Sequence, residues 1–176
     1  TQPGPRVVAN DYDTAGRLTT TTFPGGVIGR TYDSAGRLAT LSGPTGVTLA
    51  FGYNGSLEQG VTWSGAISGT LTRTFDADFR LASESVDGGA PVAFAYDADS
   101  LLVAAGSLAI ARDGQNGRVT GTTVGNVADA YGYNDYGEVD GYAANYGGTE
   151  LLSFAYARDD LGRITDKTET VGGTAS

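Results

Sequence analysis

The sequence of 176 residues contains no cysteine, no histidine and no methionine. Without cysteine there are no disulfides and no thiol chemistry, and without cysteine and histidine the usual zinc and haem ligands are missing. The Ser-His-Asp and Cys-His arrangements of nucleophilic catalysis are excluded as well. We therefore expect no enzymatic activity, no cofactor and no metal site. The missing initiator methionine leads us to expect a processed product or a piece of a longer chain.

Positive charge and long hydrophobic runs are also scarce. The chain has 11 basic and 20 acidic residues, a formal net charge of −9. Such a surface repels phosphate backbones, and no local cluster of lysine and arginine reverses this, so we expect no nucleic-acid partner. No stretch approaches the roughly 18 consecutive apolar residues of a membrane-spanning helix, so no membrane span is expected.

Glycine, by contrast, is abundant, with 28 residues, and much of it falls in a repeated motif. The segments Tyr12–Leu18 and Tyr32–Leu38 read almost identically, as Tyr-Asp-x-Ala-Gly-Arg-Leu, and Phe75–Leu81 is a weaker copy. Five more degenerate copies bring the total to eight, spaced by about 20 residues, which is the mark of a repeat architecture. The residues that anchor the copies are Tyr12, Tyr32, Tyr53, Phe75, Tyr96, Arg112, Tyr133 and Tyr156.

Each copy has the chemistry of two strands joined by a turn. Before the anchor, apolar residues alternate with small ones, as in Leu49, Phe51 and Tyr53, and this period of two is typical of a strand with one apolar face. Asp-x-x-Gly then favours a turn, since aspartate suits its first position and glycine its fourth. A second turn, such as Pro24-Gly25-Gly26, closes the repeat.

Eight repeats of this kind predict about sixteen strands, at two strands per repeat. Short connections make neighbouring strands antiparallel, so the fold class is all-β, a long antiparallel β-meander. We take residues 1–176 as a single repeat array. Strand twist accumulates in so wide a sheet, which is therefore expected to curl into an open spiral or shell segment.

The recurring Tyr-Asp-x-x-Gly-Arg-Leu element resembles the YD repeat of the Rhs family. That family includes bacterial polymorphic toxins, the B and C components of insecticidal toxin complexes, and the animal teneurins. The resemblance covers the chain from about Asn10 to Val171. Its repeats form a β-strip that spirals into a hollow shell, and in bacterial members the shell holds a toxic C-terminal polypeptide. The chain has fewer repeats than a full shell, and it lacks the Asp-Pro pair of the family's self-cleaving segment.

The resemblance implies a non-catalytic section of a shell wall that encloses or displays a toxin or partner polypeptide. The implied partners are flanking repeats or the toxin domain of a longer parent protein. The implied location is extracellular or at the cell surface, after secretion or export by bacteria. The alternative is an extracellular adhesive module that binds carbohydrate or protein.

The repeating residues are expected to be structural, because a catalytic group is needed once whereas a structural group is needed in every repeat. We expect Arg17 and Arg37 each to pair with an aspartate one repeat away. The structural set is Tyr12, Asp13, Gly16, Arg17, Leu18, Tyr32, Asp33, Gly36, Arg37, Leu38, Tyr53, Phe75, Tyr96, Tyr133 and Tyr156.

Two other groups of residues have a second interpretation. Aromatic rings can stack on sugars or anchor a partner, and the candidates for this are Trp63, Tyr131, Tyr136, Tyr142 and Tyr146. The simpler interpretation is that Tyr131 and its neighbours continue the apolar face of a strand. The pairs Asp76/Asp78 and Asp97/Asp99 have the spacing of calcium ligands but coincide with the repeat turns, so we favour a turn role.

The two ends of the array are expected to be open sheet edges. The first strand is placed near Arg6 to Tyr12 and the last near Ile164 to Val171, with the chain stopping in the middle of a repeat near Val171-Gly172-Gly173. Unpaired edge strands offer free N–H and C=O groups to another chain, so self-association through these edges is expected.

Overall fold

The computed structural model describes residues 7–175, and within them it contains strands and turns but no helix. Consequently no helix there is long and apolar enough to cross a membrane. Residues 7–175 form seventeen strands, where the sequence predicts about sixteen. They are Ala9–Tyr12 (β1), Leu18–Phe23 (β2), Gly26–Tyr32 (β3), Leu38–Ser42 (β4), Thr48–Asn54 (β5), Leu57–Ser64 (β6), Gly69–Phe75 (β7), Leu81–Val86 (β8), Val92–Tyr96 (β9), Leu102–Ala105 (β10), Leu108–Arg112 (β11), Val119–Val124 (β12), Val127–Tyr133 (β13), Val139–Tyr146 (β14), Thr149–Arg158 (β15), Ile164–Val171 (β16) and Thr174–Ala175 (β17).

The chain divides into two compact units, Thr1–Val92 and Ala93–Ser176. In the first unit β1 to β8 follow one another as an antiparallel meander. In the second unit β9 to β17 do the same. No pairing among residues 7–175 joins the first strand of a unit to its last, so neither unit is a closed barrel. The predicted all-β antiparallel fold is confirmed.

A short seventeenth strand follows the predicted last strand. Gly172 and Gly173 have φ angles of 55° and 82°, which a tight hairpin turn requires and glycine adopts without strain. The turn returns the chain as β17, which pairs Thr174 with Val171. The predicted start of the first strand at Arg6 lies outside the described residues, and β1 begins at Ala9.

Each sheet is a single layer with an apolar face and a polar face. In β5 the side chains of Leu49 and Phe51 are half-buried, whereas Ala50 between them is exposed. Cross-strand pairing places Leu49 opposite Trp63 and Phe51 opposite Val61, so apolar side chains cover one another sideways. No hydrophobic side chain among the described residues is fully buried, because no second layer lies over this face within a unit.

A β-bulge marks the anchor position of the repeats. The register shifts at Tyr12, Tyr32, Tyr53, Phe75, Arg112, Tyr133 and Arg158. The sequence predicted Tyr156 as the anchor of the eighth repeat. The bulge shows that the anchor is Arg158. The reason is that β15 runs on to Arg158, which directly precedes the turn residue Asp159, as Tyr12 precedes Asp13.

Candidate functional site

The Asp-x-x-Gly turn is held together by the aspartate carboxylate. Asp33 Oδ1 accepts hydrogen bonds from the amides of Ala35 and Arg37, both at 2.9 Å, and Oδ2 accepts one from Arg37 Nε at 2.7 Å. The amide of Gly36 donates to the Asp33 carbonyl at 2.9 Å. With Gly36 at a φ of 81°, this is a type I turn followed by a left-handed residue, the usual three-residue hairpin loop.

The arginine of each turn pairs with the aspartate of its own turn, which corrects the expected pairing one repeat away. The N–O distances are 2.8 Å for Arg17 with Asp13 and 2.7 Å for Arg37 with Asp33. Both residues flank the same three-residue loop, so the hairpin brings them together before any other repeat is within reach. The same pairing joins Arg80 to Asp76 at 2.8 Å and Arg163 to Asp159 at 2.7 Å.

These hydrogen bonds favour the charged form of the carboxylate. The pKa of Asp13, Asp33 and Asp76 is lowered from its ordinary value, mainly by the backbone N–H of the turn arginine. The pKa of Asp159 is lowered chiefly by its side-chain hydrogen bond from Arg163. The four aspartates are thus acceptors in the ionised state, and none is set up as a proton donor at neutral pH.

The tyrosine anchors connect each repeat to the one before it. The hydroxyl of Tyr32 donates to the Leu18 carbonyl at 2.8 Å, and the guanidinium of Arg17 lies 4.6 Å from the centre of the Tyr32 ring. Equivalent hydroxyl bonds join Tyr53 to Leu38 at 2.9 Å and Tyr133 to Val119 at 2.7 Å. Equivalent guanidinium–ring distances are 4.5 Å for Arg37 over Tyr53 and 5.6 Å for Arg118 over Tyr133. Each such contact is a cation–π interaction across a repeat junction.

Four of the remaining anchors differ from this arrangement. Tyr12 is 60% exposed in β1, and Phe75 has no hydroxyl. Two anchors are arginines: Arg112 donates to the Leu102 carbonyl and Arg158 to the Val139 carbonyl, at 2.9 and 3.0 Å. Sequence reasoning missed Arg158, although its place directly before Asp159 was the available signal.

Part of the predicted aromatic set forms a ladder across three strands. The ring centres of Tyr131 and Tyr142 are 5.2 Å apart, and those of Tyr142 and Phe154 are 6.0 Å apart. Lys167 Nζ lies 4.1 Å from the centre of the Phe154 ring and extends the row. Burial, aided by the carboxylate of Asp129, raises the pKa of Tyr131. Phe154 and Lys167 escaped sequence reasoning because only the strand register brings them to this row.

The other predicted aromatic residues lie outside the ladder. Tyr136 is at a turn and 89% exposed, and Tyr146 at the end of β14 is 56% exposed. Trp63 belongs to the first unit, where its ring covers Gly69 in a space that a Cβ there would fill. Within the second unit, Tyr136 and Tyr146 therefore do not join the row of Tyr131 and Tyr142.

The acidic pairs serve their turns. Asp76 caps the backbone and binds Arg80, and Asp78 pairs with Arg80 at 3.2 Å. Asp97 Oδ1 accepts from the amides of Asp99 and Leu101 at 3.0 and 2.9 Å. Within residues 7–175 no group of three or more acidic, histidine or cysteine side chains is placed to hold a metal ion.

Comparison with solved structures finds the same fold in toxin-complex proteins. The crystal structures of TcdB2-TccC3-Cdc42 and of TcdB2-TccC3 each match with a TM-score of 0.53 and 13% identity, covering 94% of this chain. TcdB2-TccC3 without its hypervariable C-terminal region matches with a TM-score of 0.52 and 13% identity, covering 96%. This chain spans only 14% of the length of each. A search of the curated proteins found no match.

The comparison with protein families agrees with the structural one. The model of the teneurin YD-shell matches residues 1–176, the whole of the chain. The match covers the bulged anchors, the aspartate-capped turns and the junctions described above. The chain therefore belongs to the teneurin YD-shell family and is a segment of a YD shell.

Proposed function

We propose that this segment is part of the wall of a hollow shell that encloses or displays a toxin or another partner polypeptide, and that it has no catalytic role. Family membership supports the wall, and the repetition of the junction contacts supports a structural task. In a longer parent protein the partners are flanking repeats and the enclosed or displayed domain. Such a protein acts outside the cell or at its surface.

The observation that carries this proposal is the uncovered apolar face of the sheets. A sheet that packs against a second layer normally buries the side chains of the shared face. Here Leu49, Phe51 and Trp63 are only half-buried, and no hydrophobic side chain among residues 7–175 is fully buried. A polypeptide held against this face would remove the apolar surface from water, at a gain of about 25 cal/mol for each Å².

Photocrosslinking in the longer parent chain tests which face meets the enclosed polypeptide. A photoreactive phenylalanine analogue is placed either at Phe51, on the apolar face, or at the neighbouring Ala50, on the exposed face. Successive residues of a strand point to opposite faces, so the two positions differ in direction and in little else. We expect crosslinks from position 51 to a segment outside the YD repeats, identified by mass spectrometry.

Position 50 serves as the matched control and should give no such crosslink. Crosslinks from position 50 alone, or from neither position, contradict the wall proposal, because the apolar face would then not meet the enclosed chain.

A second function, binding of carbohydrate at an exposed surface, is favoured by one observation. The ladder of Tyr131, Tyr142 and Phe154 is half-buried and presents adjacent rings with centres 5.2 and 6.0 Å apart. Rows of this kind can stack on sugar rings through their apolar faces. If this is the function, Tyr142→Ala should abolish polysaccharide binding measured by calorimetry, whereas Tyr146→Ala outside the ladder should leave it unchanged. Equal binding by both variants rules out the ladder as the site.

A further inference from the structure

Five repeats each send one side chain onto the turn of the next repeat. In each repeat a turn follows the anchor, and a new strand follows that turn. We call the last residue before this new strand the seat residue. The seat residues of these five repeats are Arg17, Arg37, Leu101, Arg118 and Glu138. Each lies against the glycine of the following turn. The contacts are Arg17 with Gly36, Arg37 with the Gly55 carbonyl, Leu101 with Gly117, Arg118 with Gly137, and Glu138 with Gly162.

The identity of the seat residue and that of the next anchor change together. Arginine seats at 17, 37 and 118 are followed by the tyrosine anchors Tyr32, Tyr53 and Tyr133. The two seats that are not arginine, Leu101 and Glu138, are followed by the arginine anchors Arg112 and Arg158. The junction to Phe75 has neither kind of arginine, since Ser56 is the last residue before β6 in the short turn after Tyr53 and the next anchor is a phenylalanine.

At three junctions a guanidinium binds the carbonyl of a turn glycine, and it comes from either side. Arg37, coming from the earlier repeat, donates to the carbonyl of Gly55 in the shorter turn of the later repeat. Arg112 and Arg158, coming from the later repeat, donate to the carbonyls of Gly117 and Gly162 of their own turns, at 2.8 and 2.9 Å. At these three junctions the cation is therefore supplied by the earlier repeat in one case and by the later repeat in two.

An arginine anchor also takes over the hydrogen bond of the tyrosine hydroxyl. The carbonyl that accepts from Tyr32 belongs to Leu18, the residue after the seat. At the two junctions with an arginine anchor the equivalent carbonyls accept from that arginine. The Leu102 carbonyl accepts from Arg112 Nε at 2.9 Å, and the Val139 carbonyl accepts from Arg158 Nη2 at 3.0 Å. One arginine thus makes the contacts that elsewhere need an arginine and a tyrosine.

The junction between Glu138 and Arg158 shows that the surrounding charges follow the exchange. Glu138 Oε2 lies 3.5 Å from Arg158 Nε, so the seat is an anion facing the displaced cation. In the same turn Asn134 stands where other repeats have aspartate, and its Nδ2 donates to Glu138 Oε2 at 2.9 Å. Two arginines at one junction would repel each other, and none would leave the glycine carbonyl without its donor.

We propose that these junctions are specified by a single guanidinium, supplied either by the seat residue or by the next anchor. Arg112 and Arg158 are positioning residues that replace the Arg–Tyr pair, and this choice determines which repeats can be neighbours in the array. An arginine seat accepts a strand with a tyrosine anchor, whereas a leucine or glutamate seat requires an arginine anchor.

The exchange can be made at the junction of Leu101 and Arg112. Asp97 Oδ1 already accepts from the amides of its turn, as Asp33 does, so an arginine introduced at 101 meets the same carboxylate. The variants of the whole chain are Leu101→Arg, Arg112→Tyr and the double variant, and the measurement is the midpoint of thermal unfolding. Each single variant should lower the midpoint by about 4 °C or more. Arg112→Tyr loses a charged hydrogen bond, and Leu101→Arg places two repelling cations at one junction.

The double variant should recover most of that loss, because it rebuilds the arrangement of Arg17 and Tyr32. A midpoint that falls by the sum of the two single losses, or a double variant that does not fold, overturns the proposal, since either result means that the two positions act independently.

The second junction provides an independent test. A triple variant combines Asn134→Asp, Glu138→Arg and Arg158→Tyr. It gives this junction the turn aspartate, the arginine seat and the tyrosine anchor found in other repeats. This triple variant should unfold closer to the unmodified chain than Arg158→Tyr alone does. A triple variant less stable than the single one contradicts the proposal, whatever the result at the first junction.

Discussion

Asp33 illustrates how one side chain can define a turn. Its carboxylate accepts from two amides and one guanidinium, and its backbone closes the hairpin on both sides. All three side-chain bonds are stronger to the ionised form than to the neutral one, which is the physical reason for the lowered pKa. The aspartates at 13, 76 and 159 are held in the same way.

The first prediction at this scale concerns acid. The four aspartates have a lower pKa in the folded chain than the value near 3.8 expected for the unfolded chain. Their contribution to stability is therefore complete above that value and is lost as the pH falls through the folded pKa. The free energy of unfolding by urea, measured between pH 6 and about pH 2.5, should be flat at first and then decline below about pH 4.

The control for the pH experiment is a variant in which four aspartates are changed to Asn, namely Asp13, Asp33, Asp76 and Asp159. Asn134 shows that an amide can accept both turn amides, at 3.0 Å each, so the turns should persist. The variant should be less stable at pH 6 and should lose less stability in acid. An unchanged acid slope would mean that other carboxylates determine it.

The second prediction isolates the tyrosine hydroxyl. Tyr133→Phe removes the 2.7 Å hydrogen bond to the Val119 carbonyl and leaves the ring in place. The free energy of unfolding should fall by about 1 kcal/mol, the usual value for a hydrogen bond of this kind. Tyr146→Phe, at an exposed position outside the repeat phase, should have no measurable effect. Equal losses at both positions would show that the hydroxyl bond is not specific to the anchor.

At the scale of the element, two causes favour glycine at the fourth position of the turn. The first is the left-handed φ, which other residues reach only at a cost, as Phe79 and Ser100 do with 62° and 63° at this position. The second is space: a Cβ on Gly36 would lie 3.3 Å from Arg17 Nη1 of the preceding repeat. Phe79 directs its side chain to solvent, where it is 74% exposed.

The third prediction separates these two causes with a matched pair of glycines. Gly16 and Gly36 occupy the same turn position with φ of 78° and 81°, but only Gly36 has a seat residue against it. Gly16→Ala should cost about 1 kcal/mol through backbone strain alone. Gly36→Ala should cost more, because Arg17 must also move. Equal losses in denaturant titrations would show that the seat contact adds nothing.

At the scale of the whole molecule, stability comes from contacts between neighbours along the array. Within each unit the strands pair with their neighbours in sequence, and no hydrophobic side chain in residues 7–175 is fully buried. Such repeat arrays depend on interfaces between adjacent repeats more than on a common core. This is why the junction contacts recur throughout the chain.

The fourth prediction is self-association of the isolated chain. In the described residues β1 pairs only with β2, and β16 is covered by β17 only at Thr170 and Val171. Between Ile164 and Thr168 no strand of the described residues pairs with the outer side of β16, so this stretch can pair with another copy. Sedimentation velocity over a concentration series should show dimers or larger species.

Two variants define the control for self-association. Thr168→Lys places a charge on the edge strand and should shift the chain towards monomer. Thr62→Lys makes the same change on the exposed face of the interior strand β6 and should not. A monomer at every concentration would contradict this prediction.

The sequence by itself determined what depends on near neighbours. Alternation around Leu49 and Phe51 identified a strand with one apolar face, and Asp-x-x-Gly identified the turn after it, because both signals span only a few residues. From these followed the all-β fold, the antiparallel order and a strand number close to that observed. The repeat motif was sufficient to indicate the family.

The tertiary structure decided which residues meet across repeats. The partner of Arg37, the anchor role of Arg158 and the ladder through Phe154 depend on bulges and strand register. A shift of one residue in register turns every side chain to the opposite face, and a short sequence pattern does not encode that shift. The alternation of a guanidinium between the seat residue and the next anchor likewise depends on the tertiary structure, because the bonds from Arg112 to Leu102 and from Arg158 to Val139 join different repeats.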